Sequence, residues 1–163
     1  MKFGKLTDIS RIDFDLAPAD ARTQAVLNRS QKRPFQAFVG CPVWGNKEWI
    51  GKIYPKGAKS ADYLRYYAAS FNTIELNSTH YRSPAPETVQ RWKNLARPGF
   101  AFCPKMPQSI SHYSKLRNCR ESVLLFADAV SHFEENMGHA FIQLPPSFGP
   151  HLLPHIEDFL THY

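Results

Sequence analysis

The sequence predicts an α/β fold built on a parallel sheet, and two observations carry that prediction. Short apolar runs alternate with amphipathic helical segments at intervals of about 30 to 40 residues, a pattern typical of consecutive βαβ units. In each predicted strand the apolar residues also occupy alternate positions, so the polar side chains of the different strands share the opposite face of the sheet. Parallel α/β proteins assemble their sites at the carboxyl ends of such strands.

The first 34 residues are predicted to be an N-terminal extension. Pro18 can start a helix that runs to Leu27, ahead of a polar NRSQKRP segment. We expect the regular domain to occupy residues 35–163 and to begin with the strand FQAFVGC, which ends at Cys41. A loop with several Gly and Pro residues follows and carries Trp44 and Trp49. These rings either cap the core or, in the case of Trp44, line a pocket just past the strand end.

Helix and strand signals divide the rest of the chain. Ser60 can N-cap one helix, Pro86 can open a second, and Gly138 can end a third. The predicted elements, in chain order, are a helix over 60–70, a strand over 73–77, a helix over 86–95, a strand from Phe100 into Lys105, a helix over 120–137, a strand over 139–144 and a helix that begins near 149–151.

The stretch FNTIELNSTHYR, over 71–82, changes from an alternating strand to a cluster of polar side chains. Alternation places Glu75 and Asn77 on one face, and the same parity places Cys103, Lys105 and Gln143 there. Sequential strands are usually neighbours, so Lys105 is the predicted cation for Glu75. The two residues are either an acid and base pair for catalysis, with Lys105 alternatively a nucleophile or a phosphate ligand, or a structural ion pair.

Charge and cysteine content indicate the kind of partner and the cellular compartment. The 163 residues include 20 Lys and Arg against 14 Asp and Glu, a net charge of +6 that suits an anionic partner. Three cysteines without a CxxC pair favour a reduced, cytoplasmic setting. Because no apolar run resembles a signal peptide or a membrane span, we expect no export and no membrane partner.

The sequence indicates no particular cofactor and no metal. It contains no GxGxxG, GxxxxGK[ST] or GxSxG motif, so dinucleotide, P-loop and serine-hydrolase sites have no support. The predicted polar face carries a single carboxylate, and there is no HxH or HExxH spacing, whereas zinc sites need three or more convergent ligands.

Four ordered motifs carry a resemblance to a known family. FVGCPVWG, FNTIELNSTHYR, FAFCPKMPQSISH and FIQLPPSFGP resemble the YecE-like proteins, domain of unknown function 72, from Phe35 to about Leu160. The resemblance implies a TIM-type (β/α)8 barrel with no established activity. The positions that match the family's signature are Trp44, Glu75, Asn77, Thr79, Tyr81, Lys105, His112, Gln143 and Pro145.

Such a barrel needs on the order of 250 residues, so we expect this chain to hold about the first four βα units. We therefore expect a truncated or partial chain. The first and fourth strands of a half barrel have open edges, which predicts self-association through them.

Three functional hypotheses remain open. The first is an enzyme acting on a small polar or phosphorylated substrate. Its catalytic candidates are Glu75, Lys105 and His112, and its substrate-binding candidates are Trp44, Asn77, Thr79, Tyr81 and Gln143. The second is a nucleic-acid-binding barrel, in which Arg82, Lys105, Arg117 and Arg120 meet phosphates while Trp44 or Tyr81 stacks on bases. The third is an inactive truncated fragment.

Two histidines, His112 and His80, lie close in sequence to the predicted strand ends. His112 is either a proton shuttle, a phosphate contact or a solvated loop residue. His80 is expected to point outward, because it alternates with Thr79 and Tyr81.

Overall fold

The computed structural model describes Asp8, residues 10–13, Asp15 and residues 17–29 and 35–163. Contacts within the chain divide it into two units, Met1–Gln36 and Ala37–Tyr163. The first unit contains helix α1, Ala21–Arg29. This helix begins later than predicted because the Asp20 carboxylate caps it, accepting hydrogen bonds from the backbone N–H groups of Arg22 and Thr23 at 2.8 and 2.9 Å. The predicted boundary of the extension, at residue 34, lies outside the described residues.

The second unit is a mixed α/β arrangement. Its short turns are three-residue 3₁₀ segments and one π turn over Ser109–Tyr113. The helices and strands are α2 (Tyr63–Ser70), β1 (Thr73–Leu76), α3 (Ser78–Tyr81), α4 (Pro86–Leu95), β2 (Ala101–Pro104), α5 (Arg120–Ser131) and α6 (Leu153–His162). The predicted helix over 86–95 is confirmed. The helix predicted over 60–70 forms after a 3₁₀ turn at Ser60–Asp62.

Strands β1 and β2 pair in parallel, as the sequence predicted. Thr73 is opposite Ala101 and Glu75 is opposite Cys103. Side chains alternate along each strand, so Ile74, Leu76 and Phe102 are buried on one face while Glu75 is exposed on the other. The sheet therefore has an apolar face toward the helices and a polar face.

An aromatic core lies on the apolar face. The Phe102 and Phe133 rings stack at 4.6 Å, and Phe100 meets Phe102 edge to face at 5.0 Å. Tyr67 from α2 is fully buried and extends this row toward Trp49. A second, smaller cluster is formed by Ile110, Leu116, Cys119, Val123 and Phe159.

The predicted first strand, FQAFVGC, is wrong, since residues 35–41 have no regular secondary structure. Phe35 is 89% exposed, so its ring gains nothing from an extended pairing. Residues 37–41 are nevertheless fixed to the start of β1. The Asn72 side chain accepts from Val39 N–H at 2.6 Å and donates to the Ala37 carbonyl at 2.8 Å.

The Tyr67 hydroxyl makes the second link between this segment and β1. It accepts from the Cys41 N–H at 2.5 Å and lies 3.0 Å from the carbonyl oxygens of Cys41 and Thr73. Burial raises the pKa of Tyr67 to about 12, so the hydroxyl keeps its proton at neutral pH. Side-chain hydrogen bonds thus replace the ladder that the sequence predicted.

The strand predicted over 139–144 is also wrong. Isolated parallel bridges pair Met137 with Phe102 and Phe141 with Lys105, but no continuous ladder forms. The Phe141 N–H donates to the Pro104 carbonyl at 3.1 Å, and Met106 N–H donates to Phe141 at 2.9 Å. This segment therefore runs beside β2 and places Gln143 near Lys105.

Helix α5 ends at Ser131 rather than at Met137, so Gly138 is not its cap. Phe133 turns into the core, and Asn136 donates a buried hydrogen bond to the Phe100 carbonyl at 2.7 Å. Gly138 serves a different purpose, since a Cβ there would stand 2.7 Å from Cys103 Sγ. The chain can pass β2 closely only without a side chain at this position.

None of the helices in the described part of the chain is both long enough and apolar enough to cross a membrane.

Gly40 provides a test of how closely residues 37–41 approach β1. A Cβ at Gly40 would lie 2.0 Å from the Thr73 carbonyl oxygen, whereas one at Gly45 would meet nothing within 4 Å. We expect Gly40→Ala to lower the free energy of unfolding by about 1–3 kcal/mol, as overpacking does, and Gly45→Ala to change it by less than about 0.5 kcal/mol. Urea unfolding of both variants measures this. Equal effects of the two substitutions would contradict the close approach.

Candidate functional site

The polar face of the sheet ends in a cluster of side chains. Lys105 follows directly after β2, and Asn77 follows directly after β1. The Lys105 N–H donates to the Leu76 carbonyl at 3.3 Å, so both residues follow the paired ends of the two strands. The cluster thus stands at the carboxyl ends of two adjacent parallel strands, which is the predicted position.

Lys105 and Glu75 do not form the predicted ion pair. The Lys105 ammonium donates instead to Gln143 Oε1, and Glu75 Oε1 accepts from Asn77 Nδ2 at 3.0 Å. Within the described ranges, the ion pairs join Lys93 to Glu134 and Glu135, and His162 to Asp158. The register explains the error, because Glu75 stands opposite Cys103 rather than Lys105. An exposed carboxylate is solvated by water and needs no cation.

Thr79 holds the carboxyl ends of β1 and β2 together through its hydroxyl group. Its buried hydroxyl lies 2.8 Å from both the Leu76 and the Lys105 carbonyl oxygens, so it bridges the last residue of β1 and the residue after β2. A fully buried hydroxyl cannot contact a ligand, which makes Thr79 a positioning residue. Tyr81, in contrast, is 74% exposed and lies against the ring of His80.

His80 is buried, so the prediction that it points outward is wrong. Its Nδ1 lies 2.8 Å from the Met106 carbonyl oxygen. A carbonyl only accepts hydrogen bonds, so Nδ1 carries a proton and the ring is held in one orientation. The ring of His112 stands against it edge to face, with centroids 4.9 Å apart. The prediction failed because period-2 alternation ends at Leu76, where the short helix α3 begins.

The position of both rings could have been found from the sequence. His80 and His112 each lie in the segment that follows one of two adjacent parallel strands, and such segments meet at one edge of a sheet.

His112 is half-buried, with Nδ1 at 2.9 Å from the Ser111 hydroxyl. Burial lowers the pKa of His112, and the nearby His80 and Lys105 lower it further. The imidazole is therefore held in its neutral form near pH 7. The Ser111 hydroxyl donates its proton to the Pro107 carbonyl at 3.2 Å, so Nδ1 donates to Ser111 and the other ring nitrogen can accept a proton.

Trp44 is partly buried in the loop before α2. Its carbonyl accepts from the Tyr54 hydroxyl at 2.7 Å, and its ring meets Trp92 edge to face at 5.5 Å. It lines an apolar cavity of about 290 Å³ together with Asn77. Trp49 instead packs against Tyr54 and Tyr67 in the core.

A larger groove of about 610 Å³ lies on the helical side of the molecule, lined by Arg65, Arg91 and His132 among others. It contains none of the residues at the strand ends. It is a wide opening between surface side chains, and the two arginines in it are exposed. We therefore place the candidate site at the strand ends, where the polar groups converge and buried Ser111 and His80 contact His112.

The described residues include no group of three or more His, Cys, Asp or Glu side chains placed to hold a metal ion. Cys41 and Cys103 are half-buried, and Cys119 is buried with its pKa raised by burial. The Cys103 sulfur lies 3.4 Å from the Thr73 hydroxyl. The groups available for chemistry at the strand ends are therefore an ammonium, two amides, a carboxylate and an imidazole.

The coupling between Lys105 and His112 can be measured. We expect NMR titration of the imidazole to give His112 a pKa below its ordinary value of 6.5, and Lys105→Met to raise that pKa by removing a nearby positive charge. Lys52→Met, at an exposed position, is the matched control and leaves it unchanged.

The pH dependence of folding stability follows from this shift. Folding lowers the pKa of His112, so its neutral imidazole contributes its full stabilisation at a pH above the pKa of the unfolded chain. That stabilisation is lost as the pH falls through the lower pKa of the folded protein. An unchanged His112 pKa in Lys105→Met would contradict the placement of the two groups.

Comparison with known proteins gives consistent matches over most of the second unit. The family model described as protein of unknown function DUF72 matches residues 38–163. The UPF0759 protein YecE of Escherichia coli K12 is 37% identical over 123 residues, which cover 76% of this chain and 43% of that protein. The same protein of Escherichia coli O157:H7 gives the same values.

Solved structures agree with these matches. A DUF72 family protein from Thermotoga maritima has a TM-score of 0.65 at 25% identity, covering 77% of this chain and 52% of that chain. A DUF72 family protein from Enterococcus faecalis V583 has a TM-score of 0.60 at 18% identity, covering 77% of this chain and 46% of that one. This chain therefore spans about half the length of its structural neighbours, and 43% of the length of the curated relatives.

Proposed function

Because the chain belongs to the DUF72 family of proteins of unknown function, we propose a function from its own side chains: it binds a small polar or phosphorylated ligand at the carboxyl ends of β1 and β2. The observation that carries the proposal is Lys105. Its ammonium has no carboxylate within ion-pair distance among the described residues, and a neutral amide orients it in a hydrogen bond open to solvent. A cation that lacks a counter-ion favours an anionic ligand.

The neighbouring groups suit the same ligand. Gln143 and Asn77 supply amide groups that can hydrogen-bond phosphoryl or hydroxyl oxygens. Glu75 accepts from Asn77 and presents a carboxylate that can bind a ligand hydroxyl. Thr79, buried below them, keeps the two strand ends together.

A reaction at this site would use His112 for proton transfer. Its neutral imidazole is close enough to Lys105 for the ammonium to lower its pKa, so a ligand anion held by Lys105 would have a base in its vicinity. His80 supports the ring of His112 from behind. We propose an enzyme of this kind, with Lys105 binding the anion and His112 accepting or returning a proton.

We also propose that the sheet is part of a TIM-type (β/α)8 barrel, of which this chain supplies about four βα units. The support is the order of adjacent segments: residues 37–41 beside β1, then β2 parallel to β1, then residues 137–141 joined to β2 by parallel bridges. In such a barrel the polar face of β1 and β2 would line the interior, and the candidate site would lie at the mouth.

A nucleic-acid ligand is a second candidate, favoured by two exposed tyrosines. Tyr81 and Tyr113, which follow β1 and β2, are 74% and 73% exposed. Arg82 and Arg117 are exposed in the same segments. Exposed rings beside cations are typical of surfaces that stack bases and contact phosphates.

Isothermal titration of the 163-residue chain with inorganic phosphate tests the first proposal. We expect saturable binding that weakens by about tenfold or more in Lys105→Met, since a charge-assisted hydrogen bond is lost. Lys52→Met removes an equal charge at an exposed position and is expected to leave the affinity unchanged.

Equal weakening by the two substitutions would overturn the assignment of Lys105. A short single-stranded oligonucleotide, titrated at several salt concentrations, separates the second candidate. Steeply salt-dependent binding that is lost in Tyr81→Ala and Tyr113→Ala would favour nucleic acid over a small phosphorylated ligand.

A further inference from the structure

The turn that carries His112 is anchored in the interior of the protein. It is the π turn Ser109–Tyr113, in the segment that follows β2. Such turns are rare in proteins, and they occur frequently at functional sites. Ile110 and Ser111, the two residues before His112, are fully buried. The backbone that bears the imidazole is therefore fixed, although the ring itself is half-buried and open to solvent.

The residues after this turn have unfavourable backbone angles, and a buried leucine maintains them. Lys115, Leu116 and Asn118 have φ angles of 49°, 66° and 48°, in the left-handed region that residues other than glycine adopt rarely. Leu116 is buried in the smaller cluster with Ile110 and Phe159, and its N–H donates to the Ile110 carbonyl at 2.9 Å. Strained angles persist only where the surrounding contacts impose them, so this segment holds the π turn in one conformation.

The Ser111 hydroxyl links this fixed turn to the imidazole. It lies 3.2 Å from the Pro107 carbonyl oxygen and 2.9 Å from His112 Nδ1. A hydroxyl has one proton, and a carbonyl oxygen can only accept, so the hydroxyl donates to Pro107 and accepts from Nδ1–H. Because Ser111 is fully buried, solvent does not compete for either hydrogen bond. Nδ1 of His112 therefore keeps the proton of the neutral ring, and Nε2 keeps its lone pair.

The neighbouring histidine is held in the same tautomer by a different group. His80 Nδ1 donates to the Met106 backbone carbonyl at 2.8 Å, and no hydroxyl takes part in that bond. Its ring stands edge to face against the ring of His112, with centroids 4.9 Å apart. A change of the Ser111 side chain thus removes the Nδ1 partner of His112 and leaves that of His80 in place. The two imidazoles therefore provide an internal comparison.

From these observations we propose that Ser111 is a positioning residue of the candidate site, which determines the nitrogen that His112 presents to a ligand. The inference rests on the proposed function, in which His112 accepts a proton, and adds the residue that keeps Nε2 free to accept it. Ser111 is buried and contacts no ligand, so it acts only through the imidazole. Without its hydroxyl, Nδ1–H loses its acceptor and the proton can occupy Nε2, where it blocks proton transfer from a ligand.

Nitrogen-15 NMR of the labelled 163-residue chain, recorded above the pKa of His112, identifies the tautomer of each imidazole. We expect the Nδ1–H form of His112 to exceed the Nε2–H form by about tenfold, as one buried hydrogen bond allows. In Ser111→Ala this preference should be lost, with the Nε2–H form at least equally populated. His80 should keep its Nδ1–H form in both proteins, because the Met106 carbonyl is unchanged.

Two further variants separate the hydroxyl from the packing around it. Ser111→Thr keeps the hydroxyl and adds a methyl group in a fully buried position, so we expect a less stable protein in which His112 retains the Nδ1–H form. Ser114→Ala removes a hydroxyl from the same loop at a partly exposed position and is the matched control. It should leave the tautomer of His112 unchanged. Urea unfolding and the His80 signal report whether each variant is folded.

The outcomes distinguish this proposal from the anion site. A native chain with His112 in the Nε2–H form would overturn the role of Ser111, and so would a folded Ser111→Ala protein that keeps the Nδ1–H form. Loss of that form in folded Ser111→Thr would also overturn it, because the hydroxyl is still present. Inorganic phosphate should bind Ser111→Ala and the native chain equally, since Lys105 is unchanged. Absence of phosphate binding, with the expected tautomers, would overturn the anion site and leave the control of the His112 tautomer by Ser111 standing.

Discussion

The parallel pairing of β1 and β2 is the constraint on which the remaining features depend. Alternation along each strand sends Ile74 and Phe102 into the aromatic core, and the register then fixes every polar side chain on the opposite face. A slip of one residue would expose the core and bury Glu75. The packing that stabilises the sheet therefore also places Asn77 and Lys105 at its carboxyl edge.

Buried hydroxyl groups bind backbone groups that the short strands leave without a hydrogen-bond partner. The Tyr67 hydroxyl joins Cys41 to Thr73 at the start of β1, and the Thr79 hydroxyl bridges the two strand ends. Each takes the place of backbone hydrogen bonds that a wider sheet would supply. The site is consequently supported from beneath by α3 and not only by the strands, which gives Lys105 a fixed backbone from which to reach Gln143.

Much of this arrangement could be predicted from the sequence, because periodicity and parity are local properties. The pairing of two polar strand ends follows from alternation around Glu75 and Lys105. The missed features depend on tertiary contacts. Residues 35–41 contain strand-forming residues, but side chains of Asn72 and Tyr67 take up their polar groups. His80 was misplaced because the chain turns into α3 immediately after β1, and a strand pattern contains no signal for that turn.

NMR mapping of inorganic phosphate on the isotope-labelled chain tests the central claim most directly, because it reports where an anion binds. The account predicts saturable shifts centred on Lys105, Gln143 and His112, with the groove around Arg65 and Arg91 unaffected. Shifts confined to that groove, or shifts that never saturate, would contradict the claim that the two strand ends form the binding site.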